Sequence, residues 1–174
     1  MPNYLTQEDT YKILQEDGFG ILLEDQPSAS ASESASPSMG YNDYTRGDEA
    51  TLPTTNTDLE TAYTAQEVID VSTDDGVRVG QTGTQQYMIH QFRNFFGSAN
   101  GVFPTWNGQS SLAPSLSEVK LQIYNVISES WEDVASNNSA NADTDFTITG
   151  YVPNLSDYRN GDLVVTFRIW QLAI

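Results

Sequence analysis

Val119-Lys120-Leu121-Gln122-Ile123-Tyr124-Asn125-Val126-Ile127-Ser128-Glu129-Ser130-Trp131-Glu132-Asp133-Val134 is the stretch that decides the fold class. Apolar residues alternate at Val119, Leu121 and Ile123, stop at Ser128-Glu129-Ser130, and resume at Trp131 and Val134. A period of two indicates a strand, a tight turn and a second strand. One face is expected to carry Val119, Leu121, Ile123 and Trp131, the other Lys120, Gln122 and Tyr124. A lone hairpin is marginal in water, so a second sheet must cover its apolar face.

Working outward, the same signal recurs. Val68-Ile69-Asp70-Val71 and Val77-Arg78-Val79 read as strands about an Asp74-Asp75-Gly76 turn, and Gln86–Phe96 reads as a long strand. Residues 97–117, rich in Gly, Asn, Pro and Ser, read as a long loop holding Phe103 and Trp106. Phe146, Ile148 and Tyr151-Val152 read as another strand. Leu163–Leu172 closes the chain with Val165, Phe167, Ile169 and Gln171 on one face, and its apolarity predicts a central place in its sheet. Trp131 and Trp170 are expected in the core. About seven strands in residues 65–174 predict an all-β fold, an antiparallel β-sandwich.

The preceding residues read differently. Leu5-Thr6-Gln7-Glu8-Asp9-Thr10-Tyr11-Lys12 is echoed by Ile13-Leu14-Gln15-Glu16-Asp17-Gly18-Phe19-Gly20 and then by Ile21-Leu22-Leu23-Glu24-Asp25-Gln26. Residues 1–26 are thus expected to form a short β-hairpin repeat that docks on a body or on another copy; a helix over 6–16, capped by Thr6 and stopped by Gly18, is the competing reading. The apolar positions Leu5, Tyr11, Ile13, Phe19, Ile21 and Leu23 are the candidate assembly contacts. Residues 27–38 are Ser- and Ala-rich, and such side chains bury too little apolar area to offset ordering entropy. They form a linker able to reach roughly 40 Å at about 3.3 Å per residue. Residues 39–64 complete an extended linker and arm, 27–64, expected to lie along a surface. Arg46-Gly47-Asp48 falls in it, a short match with a high chance rate.

Charge restricts the partners. The 174-residue chain carries a net charge of −17. Nucleic acid and anionic membranes are disfavoured, since no basic stripe offsets the repulsion. Residues 1–60 hold twelve acids against two bases, so the acidity is densest in the docking region. Solubility accounts for it most simply; a saline habitat, where self-repulsion is screened, is the other reading. There is no cysteine, hence no disulfide framework or thiol nucleophile. No basic and apolar leader opens the chain, so no secretion signal is expected.

Catalysis has no visible constellation. The single histidine, His90, lies inside a strand and reads as a solvated strand residue or a hydrogen-bonding residue at the core edge rather than a base. With 24 acidic residues, carboxylate pairs carry no information. No cofactor is expected. Calcium is the ion best suited to Asp74, Asp75, Asp143 and Asp145, which lie in loops, although no calcium-loop spacing is present. Phe103 and Trp106, set among Asn100, Asn107 and Gln109, are the candidate glycan contacts, because aromatic faces stack on sugar rings. The alternative is a loop that plugs one end of the sandwich.

Residues 65–174 resemble a β-sandwich module of tailed-phage structural proteins. The matching features are Leu121-Gln122-Ile123-Tyr124-Asn125, Ser130-Trp131-Glu132, Asp145-Phe146-Thr147-Ile148-Thr149-Gly150, Leu155-Ser156-Asp157-Tyr158 and Val164-Val165-Thr166-Phe167-Arg168-Ile169. The architecture is similar to the jelly-roll and galactose-binding-like folds that also house carbohydrate-binding modules. The resemblance implies a sandwich of jelly-roll-like type and a non-enzymatic virion protein made in the host cytoplasm. A capsid decoration or head-associated protein is expected ahead of a tail component. It would assemble as a homo-oligomer or lattice with other virion proteins through its N-terminal arm. The alternative it implies is a carbohydrate-binding or adhesion module of a tail or surface appendage.

Overall fold

The computed structural model describes residues 3–7, 42–72 and 76–174. Its strands are β1 (Asn3–Gln7), β2 (Asn42–Glu49), β3 (Thr61–Ala62), β4 (Val79–Gly83), β5 (Tyr87–Phe95), β6 (Thr105–Ser110), β7 (Val119–Asn125), β8 (Ser130–Asn137), β9 (Phe146–Thr149) and β10 (Val164–Leu172). A short helix α1 spans Ala65–Asp70. The strands form a six-stranded sheet, β3-β2-β5-β10-β7-β8, and a four-stranded sheet, β4-β1-β6-β9. Every ladder is antiparallel. From β4 to β7 successive strands alternate between the sheets, and β9 and β10 do so again. The all-β antiparallel sandwich expected from the sequence is the fold observed.

The core is the space between the sheets. β10 runs between β5 and β7, as its apolarity demands. Val165, Phe167 and Ile169 point into the core with no exposure. Val119, Leu121 and Ile123 meet them from β7, and Met88 and Phe92 from β5. Trp106, Phe146 and Ile148 close over them from the facing sheet. Burial on this scale stabilises by about 1.5–3 kcal/mol for each large side chain.

Several expectations are corrected. Trp131 does not share the face of Ile123. It sits opposite Tyr124 in the register set by the turn, so the hairpin sends it to the outer face. Trp170 is likewise half-buried on that outer face, opposite Lys120. Residues 97–117 are not one loop, since β6 lies within them. Residues 65–70 are helical rather than extended, because Thr64 and Glu67 form a reciprocal capping box. The Thr64 N–H donates to Glu67 Oε2 at 2.8 Å and the Glu67 N–H to Thr64 Oγ1 at 3.2 Å.

The sandwich also extends beyond 65–174. β2, from the segment read as an arm, is an interior strand paired with β5 from Asn42 opposite Asn94 to Glu49 opposite Tyr87. β1 is an interior strand of the four-stranded sheet. Leu5 lies in β1, opposite Gln81 and Ser110. Tyr11, Ile13, Phe19, Ile21 and Leu23, with the rest of the hairpin repeat and the linker, lie outside the described residues. So do Asp74 and Asp75.

Candidate functional site

Two features stand out, a polar sheet face under a strap and a slot filled by the N-terminal strand. The first follows from alternation. If Val165, Phe167 and Ile169 face the core, then Thr166, Arg168 and Trp170 face outward. In register across the sheet, Thr45, Gln91, Arg168, Gln122 and Asp133 form one continuous row over β2, β5, β10, β7 and β8. Four of the five are buried, with Arg168 only 3% exposed. Buried polar groups need partners, and an uncovered charge would be costly.

The partners come from residues 50–60, which leave β2, cross the outer face and return to β3. Arg168 Nη1 donates to the Pro53 carbonyl at 2.6 Å. Trp131 Nε1 donates to the Thr55 carbonyl at 3.2 Å. Gln91 Nε2 donates to the carbonyls of Asn56 and Thr57. Arg93 reaches the Asn56 carbonyl and pairs with Asp43 and Asp58. The Leu59 N–H returns a bond to Thr45 Oγ1. Gly47 makes room, since a Cβ there would overlap the Glu60 carboxylate and lie 3.3 Å from Leu59 Cβ.

Under the far end of the strap, Gln122 Oε1 accepts from Arg168 Nε at 2.7 Å and from Trp170 Nε1 at 2.9 Å. Its amide donates to Asp133, which also pairs with Lys120 at 2.6 Å. Burial is the largest influence on the Asp133 carboxyl and pushes it up. The bonds from Lys120 and Gln122 outweigh it, and the carboxyl ends below its ordinary value. Burial lowers the Arg168 guanidinium and Asp133 raises it again; it stays charged at neutral pH. This chemistry fixes a strap. It offers no nucleophile paired with a base.

His90 is fully buried on the opposite face, with Nδ1 2.5 Å from the Tyr63 hydroxyl. No substrate reaches it in this arrangement. Arg46-Gly47-Asp48 lies within β2 rather than in a displayed loop. Arg46 pairs with Glu67 at 2.5 Å and rests 5.4 Å from the Tyr63 ring centre. Burial pushes Tyr63 upward, and the Arg46 charge opposes it.

Of the candidate glycan contacts, Trp106 is corrected. It has no exposure and packs against Phe146, with ring centres 5.2 Å apart. Alternation in β6 turns it inward. Its indole N–H has no hydrogen-bond partner among the described residues. Phe103 is half-buried and stacks on Tyr151 at 4.3 Å, and Tyr151 is 42% exposed. The structure therefore separates Phe103 from Trp106 and joins it to Tyr151, which the sequence did not single out as a partner. The Val102–Val152 bridge sets that pairing, and no periodic signal marks it in the sequence.

Of the loop acids, Asp143 and Asp145 lie among the described residues. Asp145 accepts from Arg78 at 2.9 Å and from Gln109 at 3.1 Å. The Asp143 backbone N–H donates to the Ser110 carbonyl. Among the described residues no three metal-capable side chains converge.

The second feature is the slot. β1 pairs with β4 along its whole length, Asn3 opposite Gly83 through Gln7 opposite Val79. On its other side Leu5, Thr6 and Gln7 oppose Ser110, Gln109 and Gly108 of β6. Among the described residues β4 and β6 are not neighbours, and β4 takes its ladder partners from β1. The connection from β1 to β2 is 34 residues, 8–41.

No protein-family model matches the chain, and neither the curated proteins nor the solved structures include a match to it.

Proposed function

We propose that the chain is a non-enzymatic structural protein of a virion or similar particle, a capsid decoration or head-associated component, whose N-terminal segment is its assembly arm. The observation that carries this reading is the seating of β1 between β4 and β6 at the end of a 34-residue connection. A short strand on a long tether that completes a sheet is a recurring device of protein assembly. The strap-covered sheet face agrees with it, because Thr45, Gln91, Arg168 and Gln122 are committed to internal partners. The virion setting draws on the resemblance of residues 65–174 to phage structural modules. The carbohydrate-binding reading ranks second; it loses Trp106 and rests on the Phe103–Tyr151 pair alone.

Light scattering at low and high salt tests the reading. The full chain is expected to form a defined oligomer, favoured by salt that screens the −17 charge. Thr6→Pro removes a ladder N–H from the middle of β1 and should shift the chain toward monomer. A full chain that is monomeric at every salt concentration rejects self-assembly.

A further inference from the structure

We infer that β1 is exchanged between copies, so that residues 3–7 of one chain fill the slot between β4 and β6 of another. This rests on the assembly reading and names its partner, a second copy of this chain, and its register.

The first argument is positional. β1 is flanked on both sides, by β4 along Asn3–Gln7 and by β6 along Leu5–Gln7. A chain whose slot is empty exposes the ladder groups of β4 and of one side of β6. Unpaired strand edges are templates for another strand. The sequence that fits the slot in this register is the one every copy carries, so exchange keeps every ladder bond.

The second argument is the tether. Connections between elements of a compact domain run to about 4–6 residues. Residues 8–41 are far longer and include the Ser- and Ala-rich run 27–38. The 34 residues of this connection can reach at most about 110 Å. Effective concentration within one chain falls about as the −3/2 power of tether length. A long tether therefore gives the chain's own slot little advantage over a neighbour's once copies are packed side by side. Heterologous exchange of this kind yields a closed ring or an open lattice, and reciprocal exchange a dimer.

The chain has no cysteine, which makes the test direct. Thr6 and Gly80 are register partners, and Gly80 is exposed. Full-length Thr6→Cys and Gly80→Cys chains are mixed, refolded together, concentrated and oxidised. Exchange predicts a disulfide-linked heterodimer, with the linkage between positions 6 and 80 confirmed by peptide mass. The double variant should give dimers or a ladder on a non-reducing gel. Should Gly80→Cys fail to fold, the partner pair Leu5→Cys and Gln81→Cys replaces it.

A double variant that yields only monomers with an internal disulfide, at every concentration, overturns exchange. Light scattering then separates the two ideas. If the internally linked chain still forms the oligomer, exchange is wrong and assembly uses another surface. If it is monomeric and the unmodified chain is monomeric too, both fail.

Discussion

The Arg168 guanidinium lies over the Trp131 ring, 4.1 Å from its centre, although the two residues sit on strands separated by β7. The contact brings a buried cation and an aromatic face together at the point where the strap crosses the sheet. Arg168 also holds Gln122 and the Pro53 carbonyl, so one side chain ties β10, β7, β8 and the strap. Arginine suits this role because its planar fork donates in two directions while stacking.

Arg168→Lys should therefore not behave as a conservative change. It keeps the charge but loses the fork and the stacking. We expect a loss of roughly 2–3 kcal/mol, the scale of hydrogen bonds to charged groups, measured by denaturant unfolding. Limited proteolysis should show new cleavage within residues 50–60. Unchanged stability and protection would mean that the strap is held mainly by Gln91, Arg93 and Trp131.

Alkaline pH should destabilise the fold through its tyrosines. Burial pushes Tyr44 up to about 12 from an ordinary value of 10. The bond that Tyr158 donates to Glu132, with burial second, takes Tyr158 up to about 12 as well. Burial raises Tyr63 further. Each folded-state value lies above the unfolded one, so the contribution is full below about pH 10; that of Tyr44 and Tyr158 is lost as pH rises from about 10 through 12, and that of Tyr63 at still higher pH. For Tyr44, 8% exposed, the shift corresponds to about 3 kcal/mol. Tyrosinate absorbance should show these phenols ionising last, together with unfolding. Tyr158→Phe should flatten part of that pH dependence.

Trp106→Ala should act on stability rather than on a ligand. Removing a fully buried indole costs about 3–5 kcal/mol. Trp106→Phe should cost clearly less, because the N–H it deletes has no partner among the described residues. Phe103→Ala, at a half-buried surface position, should change stability least of the three. Chemical denaturation of the three variants orders them. A glycan array that responds to Phe103→Ala or Tyr151→Ala would revive the carbohydrate reading.

Gly101→Ala should destabilise by about 1–3 kcal/mol, the scale of overpacking. A Cβ at Gly101 would lie 2.8 Å from the Val152 carbonyl oxygen and 3.1 Å from that of Pro153. The Val152 carbonyl already accepts the Val102 N–H at 2.9 Å, so the backbone has little room to move. The melting temperature of the variant checks this, with Gly161→Ala as the control, since no atom lies within 4 Å there.

Alternation made the two-sheet architecture legible because a period of two is local. Val119, Leu121, Ile123, Val165, Phe167 and Ile169 announce an inner face without knowledge of the partner sheet. The helix at Ala65–Asp70 was also written locally, in Thr64 and Glu67, but the apolar run Val68-Ile69 masked the capping box. β2 was illegible for a different reason. Asn42-Asp43-Tyr44-Thr45-Arg46-Gly47-Asp48-Glu49 carries few apolar residues, and it becomes a strand by pairing with β5 rather than by burying a stripe of its own.

The sequence by itself thus determined the class of fold, the inward faces of β7 and β10 and the absence of cysteine chemistry. These depend on spacing along the chain and on residue type alone. Only the tertiary structure decided that Trp131 and Trp170 serve the outer face, that Trp106 belongs to the core, that residues 50–60 strap a polar row, and that Asn3–Gln7 closes the second sheet. The strap's bonds to Arg168 and Gln91 and the pairing of β1 with β4 and β6 join residues tens of positions apart. Such contacts are set by register, by bulges and by the need of buried polar groups for partners, and no local pattern encodes which distant partner will meet that need.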